Sequence, residues 1–266
     1  MLTTYILYIV LGAVAGILAG LLGIGGGLVI VPMLNIAFEL QNFPEMHIQH
    51  IALGTSMATI IFTSLSSMYA HHRRGAINYP AFWRLAPGIV IGTYLGAMLA
   101  SALPTGFLKA FFGFFLYYVA IQMLLNIKPK PHRELPGVVG TSAAGTGIGI
   151  FSALVGIGGG TLTVPFLSWC NQTMHVCIAT AAAVGLPIAL AGTTGYVIGG
   201  WNVDGIPGPH IGYVYIPAFL GIIAMSVLTA PLGAKLAHSL PVDKLKRIFA
   251  VLLILVGSRM LWTVFM

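Results

Sequence analysis

The segment Gly16-Ile-Leu-Ala-Gly-Leu-Leu-Gly-Ile-Gly-Gly-Gly-Leu-Val-Ile-Val-Pro-Met-Leu34 returns as Gly149-Ile-Phe-Ser-Ala-Leu-Val-Gly-Ile-Gly-Gly-Gly-Thr-Leu-Thr-Val-Pro-Phe-Leu167, without a gap and with 11 of 19 positions identical. A repeat of this kind decides the architecture before any single helix is read. Shared glycine content alone would not also place Pro32 over Pro165. A second match lies near the end of each half, where Leu95-Gly-Ala-Met-Leu-Ala-Ser-Ala-Leu-Pro104 aligns with Leu232-Gly-Ala-Lys-Leu-Ala-His-Ser-Leu-Pro241. The chain therefore reads as two halves, 1–127 and 137–266. The linker 128–136, Lys-Pro-Lys-Pro-His-Arg-Glu-Leu-Pro, alternates proline with charge and suits an exposed, semi-rigid connection.

Working outward, 58% of the 266 residues are apolar and 6% are charged, against roughly a quarter charged in soluble domains. Apolar runs of about twenty residues recur, each long enough to cross a hydrocarbon core of roughly 30 Å. These features imply an all-α integral membrane protein whose partner is the lipid bilayer. The 34 glycines and 15 prolines fit broken membrane helices, because neighbouring helices can re-satisfy the freed backbone groups. The net charge of +7 comes from short clusters between spans, such as Arg73-Arg74 and Lys128 to Arg133. That pattern encodes topology rather than nucleic-acid binding. Cys170 and Cys177 are too few for a disulfide framework and read as free structural thiols. The first span has no basic segment before it and is expected to stay in the mature protein.

Each half begins with a Gly-interrupted span (4–40; 138–170) and continues with three fuller helices, at 47–70, 80–102 and 106–127, then at 174–199, 211–238 and 243–264. The interrupted spans either cross fully or turn back at the glycines. If all cross, there are eight helices and Lys244, Lys246 and Arg247 lie opposite Arg73-Arg74, against the positive-inside rule. If they turn back, each half has three crossings and the halves are inverted repeats. One side then collects Arg73, Arg74, Lys128, Lys130, Arg133, Lys235, Lys244, Lys246 and Arg247, and the other carries Glu39, Glu45, Lys109 and Asp204. The inverted arrangement separates charge better, and it brings the two Gly-rich turns together near the bilayer midplane.

Irregular backbone at membrane depth is tolerated only where protein buries it or water reaches it, so a duplicated break points to a solute pathway. Gly25, Gly26 and Gly27, and Gly158, Gly159 and Gly160, leave backbone N–H groups approachable. The helix restarting after each turn aims free donors and the positive end of its dipole at the break, which favours an anion. Neutral hydroxyls lie nearby: Thr55, Ser56 and Thr59 after the first break, Thr161 and Thr163 just inside the second. Hydroxyls donate to an oxyanion without bringing charge. Ala52-Leu-Gly-Thr-Ser-Met57 has a diverged counterpart in Ala179-Thr-Ala-Ala-Ala-Val184, so the halves need not contribute equally. No Lys-Ser or Lys-Thr follows the glycines, which excludes a P-loop. No spacing suggests a catalytic triad, a metal set or a cofactor motif. Arg84, Lys235 and Arg259 suit snorkelling to the interface.

The chain resembles the sulfite exporter TauE/SafE family of membrane permeases. The resemblance rests on Gly23-Ile-Gly-Gly-Gly27 with Pro32, Gly54-Thr-Ser56, and Gly156-Ile-Gly-Gly-Gly160 with Pro165, and it covers nearly the whole chain. It implies transport of small sulfur-containing or organic anions, such as sulfite, sulfoacetate or related sulfonates, across the cytoplasmic membrane. Ala181 to Ala183 depart from the Thr-Ser type of the first half. A passive anion channel shares the same site without coupling. A membrane enzyme acting on sulfur or lipid substrates would need a nucleophile or metal set, for which only Cys170, Cys177 and isolated histidines are available.

The topology is testable by thiol labelling. Single cysteines at Asn78 and Ser239 are expected to react with an impermeant reagent from the same side of the membrane; reaction from opposite sides restores eight crossings with the halves parallel.

Overall fold

A computed structural model describes residues 2–22, 26–125, 134–239 and 242–266, with side chains for all of these except 2–6, 18–22, 230, 231, 233–239 and 242–246. Most of the linker lies outside the described residues, as do the side chains of Lys235, Lys244 and Lys246. The first half contains α1 (Leu2–Leu22), α2 (Gly27–Leu40), α3 (Ile48–Arg73), α4 (Tyr79–Ala102) and α5 (Thr105–Leu124). The second contains α6 (Val138–Val155), α7 (Gly160–Trp169), α8 (Met174–Gly199), α9 (Ile216–Ser239) and α10 (Val242–Phe265). Helices α3, α4, α5, α6 and α8, and α10 from Arg247 onward, are long and apolar enough to span a membrane.

Each Gly-interrupted span is two helices, not one. The helix expected from 211 begins only at Ile216, after an antiparallel hairpin of β1 (His210–Ile211) and β2 (Val214–Tyr215). The cause is local. Pro207 and Pro209 withhold backbone donors, and Gly205, Gly208 and Gly212 take positive φ of 87°, 82° and 55°, which no helix accommodates.

The halves interlock through glycine. On α4, Gly88, Gly92 and Gly96 face Ser142, Thr146 and Ile150 of α6 so closely that a Cβ on Gly96 would lie 2.8 Å from the Ile150 Cα. The residue numbers rise together, so α4 and α6 run parallel. Gly12 and Gly16 of α1 meet Ile222 and Ser226 of α9 in the same way, and Thr229 Oγ1 donates to the Ala13 carbonyl at 3.1 Å. By contrast, Met57 lies against Gly192 and Ser64 against Gly185, so α3 and α8 run antiparallel. The contacts of Gly113 with Leu261 and of Tyr117 with Ser258 set α5 antiparallel to α10. Lipid supplies no hydrophobic drive between helices, so backbone approach at small residues is the main attraction available.

The half-length helices α2 and α7 end alike. Asn42 and Asn171 adopt left-handed φ of 54° and 58°. Phe43 N–H bonds the Phe38 carbonyl, and Gln172 N–H the Leu167 carbonyl, both at 3.1 Å. This is the closing motif that turns a chain sharply out of a helix while satisfying its last carbonyls.

Helix α2 is also held by charge. Glu39 Oε1 accepts from Lys109 Nζ of α5 at 2.9 Å, and Oε2 from Arg259 of α10 at 3.1 Å. The Lys109 side chain is 11% exposed and that of Arg259 45%. Removing the carboxylate strands a nearly buried ammonium, whereas removing Arg259 leaves a satisfied pair. Glu39→Leu is therefore expected to cost about 2 kcal/mol of stability and Arg259→Met less than about 1 kcal/mol, measured as thermal unfolding in detergent. Equal losses would mean that the Lys109 pair carries no weight.

Candidate functional site

The two breaks touch. A Cβ on Gly27 would lie 2.6 Å from the Gly156 carbonyl oxygen and 2.9 Å from the Ile157 Cα. Only glycine admits this approach. Gly156 closes α6 in the left-handed conformation at φ 67°, with Gly156 N–H to the Ala153 carbonyl at 3.2 Å and Ile157 N–H to the Ser152 carbonyl at 3.1 Å. Gly26 precedes α2 at φ 62°, and its carbonyl accepts from Val29 and Ile30, each at 3.0 Å. Ser56 Oγ donates to the Gly156 carbonyl at 2.9 Å, so α3 ties the second break from the side.

A small cleft of ≈ 40 Å³ opens at the second break. Its backbone wall is Gly158, Gly159 and Gly160 at the start of α7; α3 supplies Thr63, Ser64 and Ser67, and α8 supplies Ala181, Ala182 and Gly185. Thr163 N–H bonds the Gly159 carbonyl at 2.9 Å as the first full turn of α7. The N–H groups before it begin the helix without intrahelical acceptors and bring the positive dipole end to the cleft. Thr63 and Ser64 donate to the carbonyls of Ile60 and Ile61 at 3.3 and 3.2 Å. Those bonds are long, and a hydroxyl turns readily toward a better acceptor.

The glycines expected at the site are placed at the breaks, except Gly25, which lies outside the described residues. The hydroxyls divide by task. Thr55 Oγ1 accepts the Tyr215 N–H at 3.0 Å, and Thr59 Oγ1 donates to the Ser56 carbonyl at 2.7 Å. Thr161 and Thr163 are buried, with hydroxyls that have no hydrogen-bond partner among the described residues. The cleft hydroxyls Thr63, Ser64 and Ser67 come instead from the next two turns of α3. Their signal was the run Thr63-Ser-Leu-Ser-Ser67 within an apolar helix. Of the alanines that depart from the Thr-Ser pattern, Ala181 and Ala182 form a cleft wall.

His50 and the two cysteines stand apart from the cleft. His50 Nε2 lies 3.1 and 3.0 Å from the Ala100 and Leu103 carbonyls and Nδ1 lies 3.2 Å from Thr105 Oγ1, tying α3 to the α4–α5 turn. Cys170 and Cys177 are buried free thiols. Burial pushes the Cys170 thiol above its ordinary value, away from the thiolate that nucleophilic chemistry needs.

Residues 8–260 match the family model described as sulfite exporter TauE/SafE. A probable membrane transporter protein of Haemophilus influenzae is 38% identical over 98% of this chain and 99% of its own length. Similar proteins with the same description occur in Bacillus subtilis, at 25% identity over 97% of this chain and 98% of the relative, and in Methanocaldococcus jannaschii, at 27% over 96% and 94%. No solved structure matches the chain. These relatives are transporters, not enzymes, in keeping with a fold of membrane-spanning helices around paired glycine breaks: the chain belongs to the TauE/SafE sulfite exporter family and is a multi-pass membrane transporter.

Proposed function

We propose that the protein is a secondary transporter exporting a small anion, sulfite or an organosulfonate such as sulfoacetate, across the cytoplasmic membrane. The observation that carries this reading is the cleft at the second break, where the start of α7 and the hydroxyls of Thr63, Ser64 and Ser67 converge on one small space. Amide and hydroxyl donors at a helix start favour a negative solute, and a gradient supplies the drive.

The halves act as inverted repeats in this reading. Parallel pairing of α1 with α9 and of α4 with α6, and antiparallel pairing of α3 with α8 and of α5 with α10, are what a reversed second half produces. Arg73, Arg74 and Arg247 then share the cytoplasmic end of the bundle, and Glu39, Glu45, Lys109 and Asp204 the outer end. Arg259 joins the outer group through Glu39. The cleft runs along the half of α3 that ends at Arg73 and therefore faces the cytoplasm. Alternating exposure follows when one bundle rocks against the other around the paired breaks.

Flux of labelled sulfite and sulfoacetate from proteoliposomes tests the assignment. A leucine at Gly159 fills the cleft, and one at Gly26 disturbs its partner break; both Gly159→Leu and Gly26→Leu are expected to reduce flux by about tenfold or more, equivalent to roughly 1.4 kcal/mol. Gly147→Ala, where a Cβ meets nothing within 4 Å, serves as the folded control. Undiminished flux in monodisperse Gly159→Leu protein removes the site from the pathway.

A further inference from the structure

The repeat sets the two halves side by side at one position where they differ sharply. Ala52 to Met57 align with Ala179 to Val184, so Gly54, Thr55 and Ala58 correspond to Ala181, Ala182 and Gly185. The second set lines the cleft. The first set is buried, and part of this chain covers Gly54 and Thr55. A Cβ on Gly54 would lie 2.7 Å from the Tyr213 carbonyl oxygen, and Thr55 Oγ1 accepts the Tyr215 N–H.

The covering segment belongs to the β1–β2 hairpin. It lies in the connection 200–215 between α8 and α9, whose counterpart between α3 and α4 is only 74–78. Tyr213 N–H bonds the Tyr196 carbonyl at 3.2 Å, and the Tyr213 ring stacks on His50 at 5.0 Å. Tyr215 packs against Phe43, Phe38 and Tyr8 at 5.1, 5.7 and 6.0 Å between ring centroids. Three departures of the first-half motif from its counterpart then have a use. Gly54 admits the Tyr213 carbonyl, Thr55 holds the Tyr215 amide, and Ser56 secures the opposite break. The alanines of the second half have no such segment to hold.

We propose that this hairpin is the outer gate of the transporter, an own-chain plug seated where the symmetry of the repeat places the outward-facing counterpart of the cleft. It must withdraw from Gly54 and Thr55 before the solute can leave on that side. The inference rests on the alternating-exposure reading above. Left-handed glycines at 205, 208 and 212 let the connection turn sharply at the plug and on the approach to it.

Cross-linking tests the gate in a Cys170→Ser, Cys177→Ser background. The 3.0 Å bond brings the α-carbons of residues 55 and 215 within the roughly 7 Å that a disulfide can span. In the Thr55→Cys, Tyr215→Cys variant, oxidation is expected to lower sulfite flux about tenfold or more and reductant to restore it. Equal flux in the oxidised and reduced states overturns the proposal. If neither state carries sulfite, the substrate reading is at fault, and the gate is read without substrate. A cysteine at Ala58 is then labelled from outside by an impermeant maleimide. Tyr213→Ala is expected to speed that labelling about tenfold; an unchanged rate overturns the gate.

Discussion

A helix broken inside a bilayer leaves backbone donors and acceptors with no water to bond, and this structure depends on how that is resolved. Each break is answered by the other. Gly27 comes so close to the Gly156 carbonyl that no side chain fits between them, and Ser56 supplies the donor which that carbonyl lacks within its own helix. The left-handed turn at Gly156 satisfies the end of α6 before the chain reverses. The first turn of α7 begins without intrahelical acceptors, and there the cleft opens. The proposed site thus lies where a helix restarts inside the bilayer with donors its own backbone does not use.

The same frame is fastened differently at its two ends. The close of α2 is held by Glu39 to cations on α5 and α10. The turn that follows α7 is held by a neutral pair, with Asn78 Nδ2 donating to Gln172 Oε1 at 3.0 Å. A charge pair in a partly buried setting is costly to separate, and a single amide bond much less so. With the hairpin over Gly54 and Thr55, the end that carries Glu39, the outer one in the proposed topology, has the heavier closure. In the proposed export cycle this asymmetry favours an arrangement open toward the cleft, the side from which an exporter would load.

Much of this was legible in the residues. The repeat, the division of each Gly-interrupted span and five of the six expected crossings follow from apolar run length and glycine placement, because the bilayer leaves a chain few alternatives; the sixth differs, since α6 is long and apolar enough to span and the described apolar stretch of α9 is shorter. The choice among hydroxyls was less accessible. Thr55 and Thr63 both sit on α3, but only packing across to the hairpin or to α8 distinguishes an anchor from a cleft wall. The hairpin itself was hidden. Tyr213-Val-Tyr-Ile216 is apolar enough to extend a helix; the left-handed turn at Gly212 interrupts the helix locally, and contacts with Thr55 and Tyr196 hold the segment as a strand.

The neutrality of the cleft wall fits carriage better than capture. A lysine or arginine facing a bound anion at 4 Å would contribute about 4 kcal/mol even at an effective dielectric of 20, and such a bond would have to be broken in every cycle. Amides and hydroxyls hold a charge by about 1.5–3 kcal/mol each, and they can do so in turn as the walls move. The described lining of Thr63, Ser64, Ser67 and the glycine backbone is of this second kind. A solute held by several replaceable donors can exchange them one at a time for water, so the barrier to release stays low while the charge is never left bare.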